Sequence, residues 1–242
     1  MKKLYSHPLL GTVLITVFSF LLFQSLYLIL ALIIKNQVIG ILVALLSFVS
    51  LIYFEKNINH DGKKMWKSLK VNDFAALAPV FAMTIIMVLY LIISKNHTFD
   101  IKLKYLELAI MAGFTEEIAF RAIPIAFASK TKADNGIYLK VAFITSFLFS
   151  ISHLANMFGD FGIGYVLLQT ISAFCFGLFM SAVLIKTKAI LPLIFAHSLY
   201  DFIAFQIAPK FGIILSLFFN VVYLIFAIRI LSKENTNHEK SI

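Results

Sequence analysis

Six side chains that can carry charge lie well inside apolar stretches of this chain: Glu116, Glu117, Arg121, His153, His197 and Asp201. Their types match the needs of hydrolysis. A carboxylate can take a proton from water, an imidazole can hold that water or donate to a developing oxyanion, and a proton must reach the leaving amine. Their spacing is helical. Glu117 and Arg121 are four apart in GFTEEIAFRAIPIAF, Phe149 and His153 four apart in FSISH, and His197 and Asp201 four apart in HSLYD, so each pair shares one helix face. An ionisable residue at the centre of a bilayer costs roughly 2.5–3.5 kcal/mol on insertion scales, so each of these groups needs a partner or a task. His7, His60, His97 and His238 fall in loops or tails and carry no such signal.

The elements that must position these groups are membrane helices. The chain has 242 residues, 61% of them apolar, with 26 Phe. That composition excludes a soluble globular domain and predicts an all-α polytopic membrane protein. At about 20 apolar residues per crossing, the sequence predicts a bundle of about eight transmembrane helices, near 9–34, 38–54, 74–93, 105–128, 137–157, 163–185, 190–206 and 211–230. They form a single transmembrane domain over 1–232, followed by a polar C-terminal tail, 233–242, expected to be disordered. The first apolar stretch is too long for a signal peptide and reads as a retained helix. Lys35-Asn36-Gln37 is a tight connection, and the polar segment 55–73 is expected to carry a short surface helix around Trp66.

The net charge of +9 does not indicate nucleic acid, because the lysines fall between apolar spans and not in a basic domain. They record topology instead. The N-terminus, the 55–73 and 129–136 loops, Lys140, Lys186, Lys188 and the C-terminal end hold most of the Lys and Arg. The opposite loops hold Lys35, Lys95, Lys102, Lys104 and Lys210. The bias predicts both termini in the cytoplasm. Cys175, the lone cysteine, excludes an intramolecular disulfide and reads as an apolar filler. At about 1.5 Å per residue, Glu116, His153, His197 and Asp201 lie roughly 16, 6, 14 and 8 Å below the outer ends of their spans. All four therefore fall in one half of the bilayer, where they can meet around a small wet cavity.

In this order and on separate helices, EEIAFR, FSISH and HSLYD resemble the three motifs of the CAAX-prenyl-protease and bacteriocin-processing (CPBP) family: Glu-Glu-x-x-x-Arg, Phe-x-x-x-His and His-x-x-x-Asn/Asp. FCFGLFMSAVLIKTKAILPLIFAH, which leads into the third motif, is also similar to that family. The resemblance runs from about residue 111 to 205, within a protease-like core of about 105–206. It implies an intramembrane endopeptidase in which a glutamate activates water. Glu116 is then the base, His153 holds the same water, and His197 with Asp201 positions the substrate or stabilises the oxyanion, Asp201 orienting His197 or donating when protonated. Many relatives carry Asn where this chain has Asp201. Glu117 and Arg121 are expected to form an internal ion pair that tunes the charge of the site, with Phe149 as a cavity wall.

No metal is favoured, because the sequence lacks a His-Glu-x-x-His helix. Zinc on His153, His197 and Glu116 is the alternative. The expected partners are the lipid bilayer and a membrane-associated or lipidated peptide or protein, with CAAX-type processing and bacteriocin maturation or self-immunity both open. An outer-half site fits a cytosolic CAAX substrate poorly. Two other classes compete: a non-catalytic immunity or binding membrane protein, and an ion- or proton-coupled transporter.

Overall fold

The computed structural model describes residues 5–34, 38–58, 65–67, 70–94, 104–131, 136–159, 161–207 and 213–239. Among these, every regular element is helical. In hydrocarbon a backbone can satisfy its N–H and C=O groups only within itself, which is why the apolar runs form helices. In chain order they are α1 (Pro8–Ile34), α2 (Ile39–Ile58), α3 (Val71–Ala75), α4 (Ala78–Ser94), α5 (Lys104–Glu117), α6 (Ile123–Ala128), α7 (Ile137–Ser152), α8 (Ile163–Thr187), α9 (Ile190–Ala204) and α10 (Ile213–Glu239). A π segment, Ile118–Ala122, joins α5 to α6, so 104–128 is one continuous rod. Each of the eight expected crossings has its helix. Among the described residues, five helical stretches are long and apolar enough to cross a membrane, and Ala78–Ile93 and Ile190–Ala204 are shorter apolar helices. The protein is a multi-pass membrane protein.

Three local features depart from the simplest expectation. The third crossing is divided, with the five-residue α3 set off from α4. A single 3₁₀ turn, Met65–Lys67, stands where a surface helix around Trp66 was expected. The last helix runs to Glu239, past the expected span end near 230 and into the segment expected to be a disordered tail. Residues 240–242 and the Lys35-Asn36-Gln37 connection lie outside the described residues.

The bundle is built around α8. Of its most apolar window 67% is buried, against 17% for α1, so α8 is central and α1 is largely lipid-facing. Helices α7 and α10 pack along α8, while α9 and α2 both pack on α5. The chain reverses from α8 into α9 within two residues. Lys188 adopts a left-handed conformation (φ 55°), and its N–H closes the last turn on Leu184 O at 2.8 Å. This tight reversal sends α9 back through the bundle towards α5.

The α5–α9 seam brings together the motifs that carry Glu116 and His197, and it depends on Gly113. A Cβ at this position would collide with Ser198 Oγ and lie 3.0 Å from Ile194 O. A small residue at a membrane-helix crossing lets the two backbones approach closely. Replacing Gly113 with Leu is expected to cost about 1–3 kcal/mol through overpacking. The purified variant in detergent should show a lower thermal midpoint. An unchanged midpoint would mean that the seam is not as tight as the coordinates make it.

Candidate active site

The rod that carries Glu116 and Glu117 is locally unwound. Pro124 lacks an N–H, and its ring crowds the carbonyl four residues earlier, so the turn before it cannot stay α-helical. The turn widens instead, and Ile123 N–H donates to Ile118 O, five residues back. Such π turns inside helices are frequent at functional sites. Here the π turn begins directly after Glu117 and contains Arg121.

Glu117 and Arg121 form the expected pair, fully buried, with Arg121 Nη1 3.2 Å from Glu117 Oε1. The contact is an ion pair without good hydrogen-bond alignment. None of the guanidinium nitrogens makes a well-aligned hydrogen bond among the described residues. The cation instead lies over the face of Phe149, with Cζ 4.1 Å from the ring centroid, a cation–π contact in a dry setting. Gly177 on α8 makes room for this sandwich. A Cβ there would sit 3.0 Å from Arg121 Nη2 and 3.1 Å from Phe149 Cδ1.

The same Glu117 oxygen accepts a 2.7 Å hydrogen bond from His197 Nδ1. Sequence reasoning gave the orienting role to Asp201. Geometrically, the short partner of His197 is Glu117, and Asp201 Oδ2 lies 3.5 Å from Nε2. Glu116 Oε2 approaches the same Nε2 at 3.6 Å. Because a carboxylate can only accept, Nδ1 bears a proton and Nε2 is the ring's other functional atom. Nε2 thus faces two carboxyl groups at once. Two carboxylates and an imidazole lone pair repel one another, so this triangle holds at least one proton among its members. Glu117 is fully buried, whereas the Glu116 and Asp201 side chains retain 19% and 17% exposure.

His153 closes the far side. It stands at the junction of α7 and a 3₁₀ turn, His153–Phe158, and its Nδ1 donates to Phe149 O at 2.9 Å. The carbonyl takes the Nδ1 proton, which leaves the Nε2 lone pair of the neutral ring available. His153 is within electrostatic reach of Asp201. A cavity of about 330 Å³ is lined by His153, His197, Asp201 and Phe149. Glu116 is not among its lining residues and reaches it by way of His197.

Glu116, Glu117, Arg121, His197 and Asp201 are therefore one contiguous cluster, and His153 faces the cavity that His197 and Asp201 share. Phe149 does more than wall the cavity, since its ring meets Arg121, His153 and His197 (centroids 4.8 and 6.2 Å from the two imidazoles). Sequence reasoning missed Gly177 and Phe176, the latter packed edge-on against the His197 ring at 5.0 Å. A glycine inside FCFGLF was the available signal for the first, because a small residue in a membrane helix marks a close approach. Phe176 had none to distinguish it from its neighbours. Among the described residues, no three His, Cys, Asp or Glu side chains converge as a metal-ligand set.

Residues 98–203 match the family described as type II CAAX prenyl endopeptidase Rce1-like. No curated protein and no solved structure matches the chain.

Proposed function

We propose, on the premise that residues 98–203 belong to the Rce1-like family of type II CAAX prenyl endopeptidases, that this membrane protein hydrolyses a peptide bond of a membrane-associated or lipidated substrate by glutamate-activated water. Glu116 accepts the proton of a water molecule that enters beside His197 Nε2, at the edge of the cavity, and His153 Nε2 takes a hydrogen bond from that water from the cavity side. The hydroxide adds to the scissile carbonyl, and His197 Nε2–H donates to the oxyanion that forms. Asp201, beside His197 at 3.5 Å, supports that donor. The proton held by Glu116 then passes to the leaving nitrogen as the C–N bond breaks. Glu117 and Arg121 do not meet the substrate. Glu117 holds the His197 ring through Nδ1, and Arg121 balances its charge.

The observation that carries this reading is the position of His197 Nε2 between Glu116 and Asp201, at the wall of a cavity also lined by His153. In this proposal catalysis needs no zinc. The charge bias of the loops supports a cell-membrane orientation with both termini in the cytoplasm. The experiment is comparative membrane proteomics of cells carrying the wild type or Glu116→Ala. At least one membrane-associated protein or peptide should accumulate uncut in the variant, and its cleavage by the purified wild type should survive a zinc chelator. If nothing accumulates, the protease reading fails. If the chelator stops cleavage and zinc restores it, the metal-free mechanism fails.

A further inference from the structure

The cavity continues well beyond the charged cluster, between α8 and α10. Helix α10 lies outside the family-matched residues, and its faces are unusual for a membrane helix. Its outward positions are apolar and exposed, among them Leu217, Phe218, Val221 and Ile225. Its cavity face carries Ser216, Asn220 and Tyr223, at the i, i+4, i+7 spacing of one helix face. Across the cavity, α8 presents Gln169 and Ser172. Three of these polar groups are tied in place. Asn220 Nδ2 donates to Ser172 Oγ at 3.0 Å, and Asn156 Nδ2 donates to Gln169 Oε1 at 2.8 Å.

Tyr223 is different. It is only 3% exposed and lines the cavity, yet its hydroxyl has no hydrogen-bond partner among the described residues. Its ring is fixed by stacking on Phe179 at 5.5 Å and by an edge contact with Phe176 at 5.7 Å. Leaving a buried hydroxyl unsatisfied is costly, and a bound ligand that supplies an acceptor removes the cost. The strip is also uncharged. Among the described lining residues there is no Lys or Arg to pair with an anion.

We propose that Tyr223 and Asn220 of α10, with Gln169 and Ser172 of α8, form an uncharged subsite that positions the backbone amides of an internal peptide segment, and do not serve as a receptor for a terminal carboxylate. The proposal rests on the peptidase reading above and names how its substrate is held. Tyr223 donates to a substrate carbonyl, and the Asn220 side-chain oxygen accepts from a substrate N–H. Both are positioning residues, distant in role from the water-activating groups.

The test uses the full-length chain in nanodiscs with a Glu116→Gln background, so that no probe is cut. The probes are a farnesylated tetrapeptide as its free acid and as its C-terminal amide. Both forms should bind within about threefold of each other, and adding Tyr223→Phe should weaken both by roughly three- to tenfold, the worth of one neutral hydrogen bond. That variant removes only an unpartnered hydroxyl, so its thermal midpoint should not fall. Val221→Ala on the lipid face serves as the control and should change nothing. On the otherwise wild-type chain, Tyr223→Phe should raise KM and leave kcat unchanged. Unchanged affinity in Tyr223→Phe, a preference above tenfold for the free acid, or no binding of either probe overturns the subsite. The protease reading is judged separately by the uncut substrate in Glu116→Ala cells, so the two can fail independently.

Discussion

Glu116→Gln is expected to abolish cleavage of the substrate that accumulates in Glu116→Ala cells, lowering kcat by about 10²–10⁴-fold, the usual contribution of a general base. The amide is isosteric with the acid but cannot take a proton from water. Fold stability should be little changed, because Glu116 keeps 19% exposure and contacts His197 only at 3.6 Å. Initial rates in proteoliposomes, measured beside the thermal midpoint, separate the two effects. Full kcat in a folded Glu116→Gln protein would remove Glu116 from the mechanism. Glu117→Gln should behave in the opposite sense. Its amide oxygen can still accept from His197 Nδ1, but Arg121 loses its counter-charge, so the main loss is in stability.

Arg121→Met carries the largest structural effect. It leaves the fully buried Glu117 carboxylate without its cation, and breaking a buried pair by removing one partner costs about 3–5 kcal/mol. For a domain of this size that corresponds to a fall of about 10 °C in thermal midpoint. Adding Glu117→Leu to the same chain removes the orphaned charge, so the double variant should regain much of the lost stability. It should not regain activity, because His197 then lacks the acceptor that holds its Nδ1. Thermal midpoints of the four members of this cycle, in detergent, give the coupling directly. An Arg121→Met protein as stable as wild type would show that the pair is not buried as the structure places it.

These two results rest on different levels of the molecule. The sequence alone determined that the chain is a helical membrane protein. Apolar runs of crossing length leave the backbone no alternative in hydrocarbon, and all eight runs became helices. It also singled out the ionisable groups inside those runs, because a charge there is costly and needs a partner or a task. The Glu117–Arg121 pair was readable for the same local reason, since residues four apart on a helix are neighbours.

Only the tertiary structure decided how the helices share those groups. The hydrogen bond from His197 to Glu117 joins residues 80 apart in the chain, and no local spacing encodes it. It requires α5 and α9 to cross closely at Gly113, and it draws His197 Nδ1 to Glu117 rather than to Asp201. The polar strip on α10 was equally silent in the sequence. Ser216, Asn220 and Tyr223 lie in an apolar stretch, and their alignment with Gln169 and Ser172 exists only because α10 packs along α8. Periodicity tells which residues share a face of one helix. Which helix that face meets depends on the packing of the whole bundle, where side-chain volumes, close glycine crossings and the satisfaction of buried polar groups act together.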